Sequence, residues 1–168
     1  MKKYNYIILS FLLFLLPSKV YSLIEVDITR GNLNPLPIAV SPLSSNDESI
    51  SSLNKKLNVT NIGLEISKVV ENNLRTSGLF NPLNKDAFLQ KPDIAHLKPR
   101  FEDWALIKAQ ALITGKVMLQ EEKLRVEFRL WDVLAGKEMM ALAFTTVPKN
   151  WRRVGHIITD KVYERLTG

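Results

Sequence analysis

The sequence predicts an α/β domain of the α+β kind, a mixed β-sheet with helices packed mainly on one face. Three observations predict it. Leu124, Val126, Phe128 and Leu130 alternate with Arg125, Glu127, Arg129 and Trp131, the two-residue period of a strand with one buried face. Ile62, Ile66, Val69, Val70 and Leu74, and again Trp151, Val154, Ile158, Val162 and Leu166, fall at helical spacing. Strand patterns stand on both sides of the first of these helices, and short turns join the later strands, which suits a mixed sheet with both crossover and hairpin connections.

Taken in order, residues 1 to 22 read as a secretory signal peptide. Lys2 and Lys3 give a basic start, Ile7 to Leu16 an apolar run of ten residues, and Pro17 a break before Val20-Tyr21-Ser22. A membrane-spanning helix needs about 20 apolar residues, so stable insertion after cleavage is not expected. Residues 23 to 168 are then the mature domain, in an exported compartment. From Leu23 to Leu43 the chain is rich in strand-forming residues. Ile24, Val26 and Ile28 alternate with Leu23, Glu25, Asp27 and Thr29, so a strand is expected at the new N-terminus, added to one edge of the sheet.

Residues 44 to 60 are rich in Ser, Asn and charge and read as a loop with room for one helical turn. Thr60 or Asn61 can cap the helix that follows, and Ser77-Gly78 should end it. Leu79 to Leu83 is a short strand, and the two prolines of the next stretch predict a surface crossing with little regular structure. Phe101 to Gln110 reads as a helix of about three turns, burying Trp104, Ala105 and Ile107 or the stem of Lys108. Glu102 and Asp103 stand near its positive end. Ala111, Ile113, Gly115, Val117 and Leu119 line one face of the next strand. Glu121-Glu122-Lys123 and Leu134-Ala135-Gly136 turn the chain into two further antiparallel strands. Asn150 can cap the last helix. The predicted order is β, β, α, β, α, β, β, β, α, with the sheet face opposite the helices wet.

Composition removes several function classes. The chain has no Cys, so a lipid-modified N-terminus, disulfides and thiolate metal sites are excluded. The formal charge of +6 is partly the leader's. Lys2, Lys3 and Lys19 leave 20 basic against 17 acidic residues in the rest, interspersed in sign, with no basic run longer than a pair. Nucleic-acid binding, which needs positive charge gathered on one face, is not expected. His96 and His156 stand 60 positions apart and make a poor metal set. Asp93, His96, Glu102 and Asp103 read as ordinary surface charges, with no nucleophile motif beside them. No glycine spacing cradles a phosphate, and no cofactor site is expected. Trp104 and Trp151 serve the core, whereas alternation puts Trp131 on the wet face, where an exposed Trp could anchor a contact.

Several phrases carry a resemblance. "EVDITRGNLNPLPIAVSPL", "LRTSGLFNPL", "LITGKV", "EFRLWDVLAGKEM" and "WRRVGHIITDKVYERLTG" run in order from Glu25 to Gly168. They resemble the TolB family's N-terminal domain, from the periplasmic component of the Tol–Pal envelope system. The resemblance implies a non-enzymatic periplasmic adaptor without a cofactor, concerned with outer-membrane integrity and with envelope constriction at division. It also implies that the mature N-terminal segment, residues 23 to 31, switches between ordered and released states and engages the C-terminal domain of TolA. The residues carried over are Leu23, Ile24, Glu25, Val26, Asp27, Ile28 and Thr29. Family chains continue past the Leu-Thr-Gly helix into a six-bladed propeller that engages the lipoprotein Pal. Here the sequence stops at Gly168, so Pal is expected as a partner only where a propeller is supplied separately. The alternative is a non-binding remnant of a truncated relative, or a small-ligand domain, with a fixed N-terminal strand.

Overall fold

A computed structural model describes residues 34–45 and 48–168. Five strands form one sheet in the order β2-β1-β3-β4-β5. β1 (Leu36–Val40) lies parallel to β2 (Phe80–Pro82) on one side and to β3 (Ala111–Gln120) on the other. β4 (Lys123–Asp132) and β5 (Lys137–Thr146) continue antiparallel. Helices α1 (Glu48–Leu57), α2 (Ile62–Thr76) and α5 (Trp151–Thr167) cover one face; α3 (Pro92–Ala95) and α4 (Phe101–Leu106) are short. The predicted α+β class and mixed sheet are what the structure has. The predicted first strand, at Leu23 to Arg30, lies outside the described residues.

The main core follows the periodicities. Ile62, Ile66, Val70 and Leu74 of α2 and Trp151, Val154, Ile158, Val162 and Leu166 of α5 pack on Ile38, Val40, Ile113, Val117 and the Leu124–Leu130 set. The Asn61 side chain caps α2, accepting from Leu64 N at 2.9 Å. Gly78 closes the helix at φ 73°, a conformation that Gly adopts without a Cβ clash. Ser67, buried on α2, pins the exit of β1: its Oγ accepts from Leu43 N at 3.0 Å and stands 3.1 Å from Ser41 O. Where α2 crosses α5, Gly155 lets the backbones approach closely, Val69 filling the space a side chain would occupy.

The structure corrects the sequence reading in five places. Residues 48–57 form a ten-residue helix rather than a loop. Ile50 and Leu53 are buried and Leu57 is partly buried against the core, a stripe too sparse to stand out among Ser, Asn and Lys. Helix α4 ends at Leu106, since Lys108 turns to φ 62° and Ala109 N bonds back to Trp104 O at 3.1 Å. Ala105 is consequently exposed, while Trp104 is buried. The face opposite the large helices is covered over part of its area by a second, smaller core. There Trp104 packs with Ala39, Ala95, Ala109, Leu112 and Val133, and Phe88 and Trp131 lean on them. Hence β3 is buried on both faces from Ala111 to Gly115. Trp131 is half-buried, its ring edge-on to Phe101 and its Nε1 donating to Thr114 Oγ1 at 2.8 Å, so it is tied into the fold rather than free as an anchor. Asn150 ends a 3-10 turn and makes no side-chain cap to α5; its Nδ2 reaches Thr146 Oγ1 at 3.4 Å instead.

Candidate partner-docking site

A sheet can receive a partner strand only at an edge, and the two described edges differ. At the β2 edge, Leu79 O accepts from Leu36 N and Leu83 N donates to Ile38 O, so odd-numbered residues face β1. The outward side belongs to Phe80 and Pro82. Proline has no N–H to offer, and the strand is only three residues long. This edge is a poor template.

The outer edge of β5 is ten residues long, and no described strand pairs with it. Its first part carries conventional protection. Trp131 pairs with Glu138 and Leu130 with Met140, leaving Met139 as a bulge, and Lys137 and Glu138 are charged. From Met140 to Thr146 there is no charge, proline or bulge. A long, flat, uncharged edge is a strand-addition site or an aggregation hazard. Its two faces are distinct. Met140, Leu142 and Phe144 stand in the rows of Leu130, Phe128 and Val126 and extend the apolar side. The Phe144 ring stacks on Phe128 at 6.1 Å, and Leu142 is 38% exposed.

Ala141, Ala143 and Thr145 lie on the opposite face, in the rows of Arg129, Glu127 and Arg125. The small alanines leave a shallow cleft of about 260 Å³, lined on its polar side by Lys116, Arg125, Glu127, Arg129 and His96. Arg125 Nε lies 2.9 Å from Glu127 Oε1, and Lys116 Nζ lies 3.6 Å from Glu127 Oε2. Arg129 holds Glu138 at 3.0 Å and donates to the His96 carbonyl at 3.0 Å. Partial burial pushes the Glu127 carboxyl up, but the Arg125 hydrogen bond and the charges of Lys116 and Arg125 outweigh it and leave it below the ordinary value. Glu127 thus stays anionic at neutral pH. Three cations face two anions here, so the cleft favours acidic groups.

The predicted partner-binding residues, Leu23, Ile24, Glu25, Val26, Asp27, Ile28 and Thr29, lie outside the described residues. The described chain starts at exposed Asn34 and Pro35 and enters β1 at once. The histidines and acids weighed as alternatives are dispersed. His156 Nδ1 meets Asn73 Nδ2 at 2.8 Å, His96 Nδ1 lies 3.3 Å from Pro92 O, Asp93 accepts from Ser44 Oγ and Asp103 pairs with Arg100. Among the described residues no group of three or more His, Cys, Asp or Glu could hold a metal ion. No described helix is long and apolar enough to cross a membrane. Sequence reasoning missed the β5 edge. Its signal is the uncharged run from Met139 to Thr146, which by itself shows a strand but not that the strand lies at the edge.

A sheet backed by helices on one face, with a long open edge beside a charged cleft, defines an α+β module suited to strand-mediated contacts. The chain belongs to the TolB amino-terminal domain family, whose model matches residues 24–139. It is 76% identical over 159 residues to the Tol-Pal system protein TolB of Pelagibacter ubique (strain HTCC1062). That alignment takes in 94% of this chain and 36% of the relative, so the chain spans about a third of the relative's length. Among solved structures, TolB from Acinetobacter baumannii superposes with a TM-score of 0.61 at 20% identity, covering 87% of this chain and 32% of that one. The hypothetical protein CT253 from Chlamydia trachomatis superposes with a TM-score of 0.58 at 13% identity, covering 78% and 98%. Both likenesses concern the fold alone.

Proposed function

We propose that this chain is a periplasmic adaptor module of a Tol–Pal envelope system, and that it engages the C-terminal domain of TolA through Leu23–Thr29. The reading is carried by the 76% identity to a Tol-Pal system protein over nearly the whole chain. It is supported by the strand-like alternation of residues 23–29 and by a leader-like segment before them. An extended segment binds by offering its backbone to a sheet edge, each ladder bond contributing a net ~0.5–1.5 kcal/mol. Six or seven residues therefore suit a reversible contact. The contribution to outer-membrane integrity and to constriction at division follows from that contact, as part of the same proposal. Pal is a partner only where a propeller is joined to or supplied with this domain.

Calorimetric titration of the chain beginning at Leu23 against TolA's C-terminal domain tests this. Saturable binding is expected, lost on deletion of residues 23–30 while the far-ultraviolet spectrum is kept. Equal binding by the deleted form, or none by either, would refute the proposal in favour of a fixed, non-binding strand.

A further inference from the structure

We propose that the crevice at the carboxyl ends of β1 and β2 is a binding site for a small amphiphilic anion, a molecule with one short apolar body and one acidic head. The site is separate from the adaptor contact and does not depend on it. Four observations carry it.

The first is topology. β1 and β2 are parallel neighbours, paired from Leu36 with Phe80 to Ile38 with Pro82. The chain leaves β1 towards the face covered by α1 and α2, where Ile50, Ile62 and Ile66 join the main core. It leaves β2 towards the opposite face, where Ala95 and Trp104 join the smaller core. Adjacent parallel strands whose connections part in this way open a crevice outside their carboxyl ends, the usual place for a ligand in an open α/β sheet. The second is that the crevice has room. A cavity of about 340 Å³ lies between Pro42, just past β1, and Lys85 and the 88–92 segment, past β2. That is at the lower end of the ~300–1,000 Å³ of small-molecule sites and suits one short chain or one ring.

The third is a preformed wall. Gln90 is 4% exposed, and its side chain is spent on the fold. Its Oε1 accepts from Arg100 N at 3.0 Å and from Trp104 Nε1 at 3.1 Å, and its Nε2 donates to Lys98 O at 3.1 Å. The Phe88 ring stands edge-on to Trp104, with centroids 5.0 Å apart. These ties fix the 88–92 segment, so Phe88, Leu89 and Pro92 line the cavity with Pro42 without first having to be ordered. Leu89, 60% exposed, is the part of that apolar lining a ligand would cover. The fourth is charge. Lys85 and Lys91 line the cavity, and no acid does. Lys85 is held by Glu71, which also pairs with Arg75. Lys91 is exposed, and no described acid pairs with it. One ammonium beside an apolar lining selects a ligand with a single negative head.

Titration of octanoate into the isotope-labelled chain beginning at Leu23, followed by amide and indole NMR shifts, tests the site. Saturable shifts are expected at Phe88, Leu89, Lys91 and the Trp104 indole. Acetate or hexanol at the same concentrations should not reproduce them. Leu89→Ser and Lys91→Glu change exposed side chains, so each should keep the folded spectrum and the urea midpoint while weakening octanoate severalfold. Lys149→Glu, the same change of charge at an exposed residue outside the cavity, should bind as the parent does. Shifts that spread over the surface or never saturate would overturn the proposal. So would acetate or hexanol binding as tightly as octanoate, an affinity unmoved by Leu89→Ser or by Lys91→Glu, or an equal loss with Lys149→Glu. The TolA titration reads a different segment, so either result can stand or fall without the other.

Discussion

The crossing of α2 and α5 sets the stability of the main core, and Gly155→Ala probes it. A Cβ at Gly155 would lie 2.8 Å from Val69 Cγ1 and 2.9 Å from Val69 Cβ. The first atom could move by a rotamer change, but a β-branched residue in a helix has essentially one χ1 well. The second atom is fixed to the α2 backbone. The helices must therefore part, at a cost of ~1–3 kcal/mol for overpacking. Replacing Gly by Ala within a helix returns about 1 kcal/mol of propensity. Set against each other these leave a net loss of up to about 2 kcal/mol, towards the upper end because the Val69 Cβ contact cannot relax locally. Urea unfolding followed by fluorescence and circular dichroism gives the number. A double-mutant cycle with Val69→Gly gives the cause, because removing the Val69 Cβ together with its methyls should relieve most of the overpacking part of the Gly155→Ala cost, about 1 kcal/mol or more. A Gly155→Ala chain as stable as the parent, or effects that simply add, would refute the close-crossing argument.

Three further outcomes follow from local geometry. Asn61 Oδ1 accepts from both Leu64 N and Ser45 Oγ, so Asn61→Ala should cost about 1 kcal/mol in urea unfolding, within the usual range for an N-cap. The β3–β4 turn holds Glu121 at φ 49° and Glu122 at φ 61°, and Glu121→Asn with Glu122→Gly should raise stability by about 1 kcal/mol, read as a higher urea midpoint. For Glu71, partial burial pushes the carboxyl up, but hydrogen bonds and charge from Lys85 and Arg75 bring it net below the ordinary glutamate value. A depressed folded-state value means its contribution is full above the ordinary value and fades as pH falls through the folded one. The difference in urea midpoint between the parent and Glu71→Gln should therefore shrink on acidification, and a difference constant down to about pH 3 would contradict this.

The long elements were legible because their faces differ in polarity. Val154, Ile158 and Val162 can face only a core, and Arg125, Glu127 and Arg129 only solvent or one another. Helix α1 was hidden because Ile50 and Leu53 are two buried residues among polar neighbours, and tertiary contact rather than composition fixes it. The second small core was hidden for a different reason. Ala39, Ala95, Trp104 and Val133 come from four separated segments, each with only one or two apolar residues, and nothing local announces that they meet. The wet-face position of Trp131 was right in parity, but parity says nothing of Phe101 and Thr114 arriving from elsewhere to cover the ring. The candidate segment at Leu23–Thr29 was read from alternation and resemblance. The β5 edge required the strand order, which no local pattern supplies.

Docking of Leu23–Thr29 onto TolA is tested most directly by amide exchange over these residues, one by one, with and without saturating TolA C-terminal domain. These amides should slow markedly on addition of TolA while those of β3 and β4 keep their rates. Unchanged exchange across Leu23–Thr29 at saturation, with any slowing confined to other parts of the domain, would contradict it.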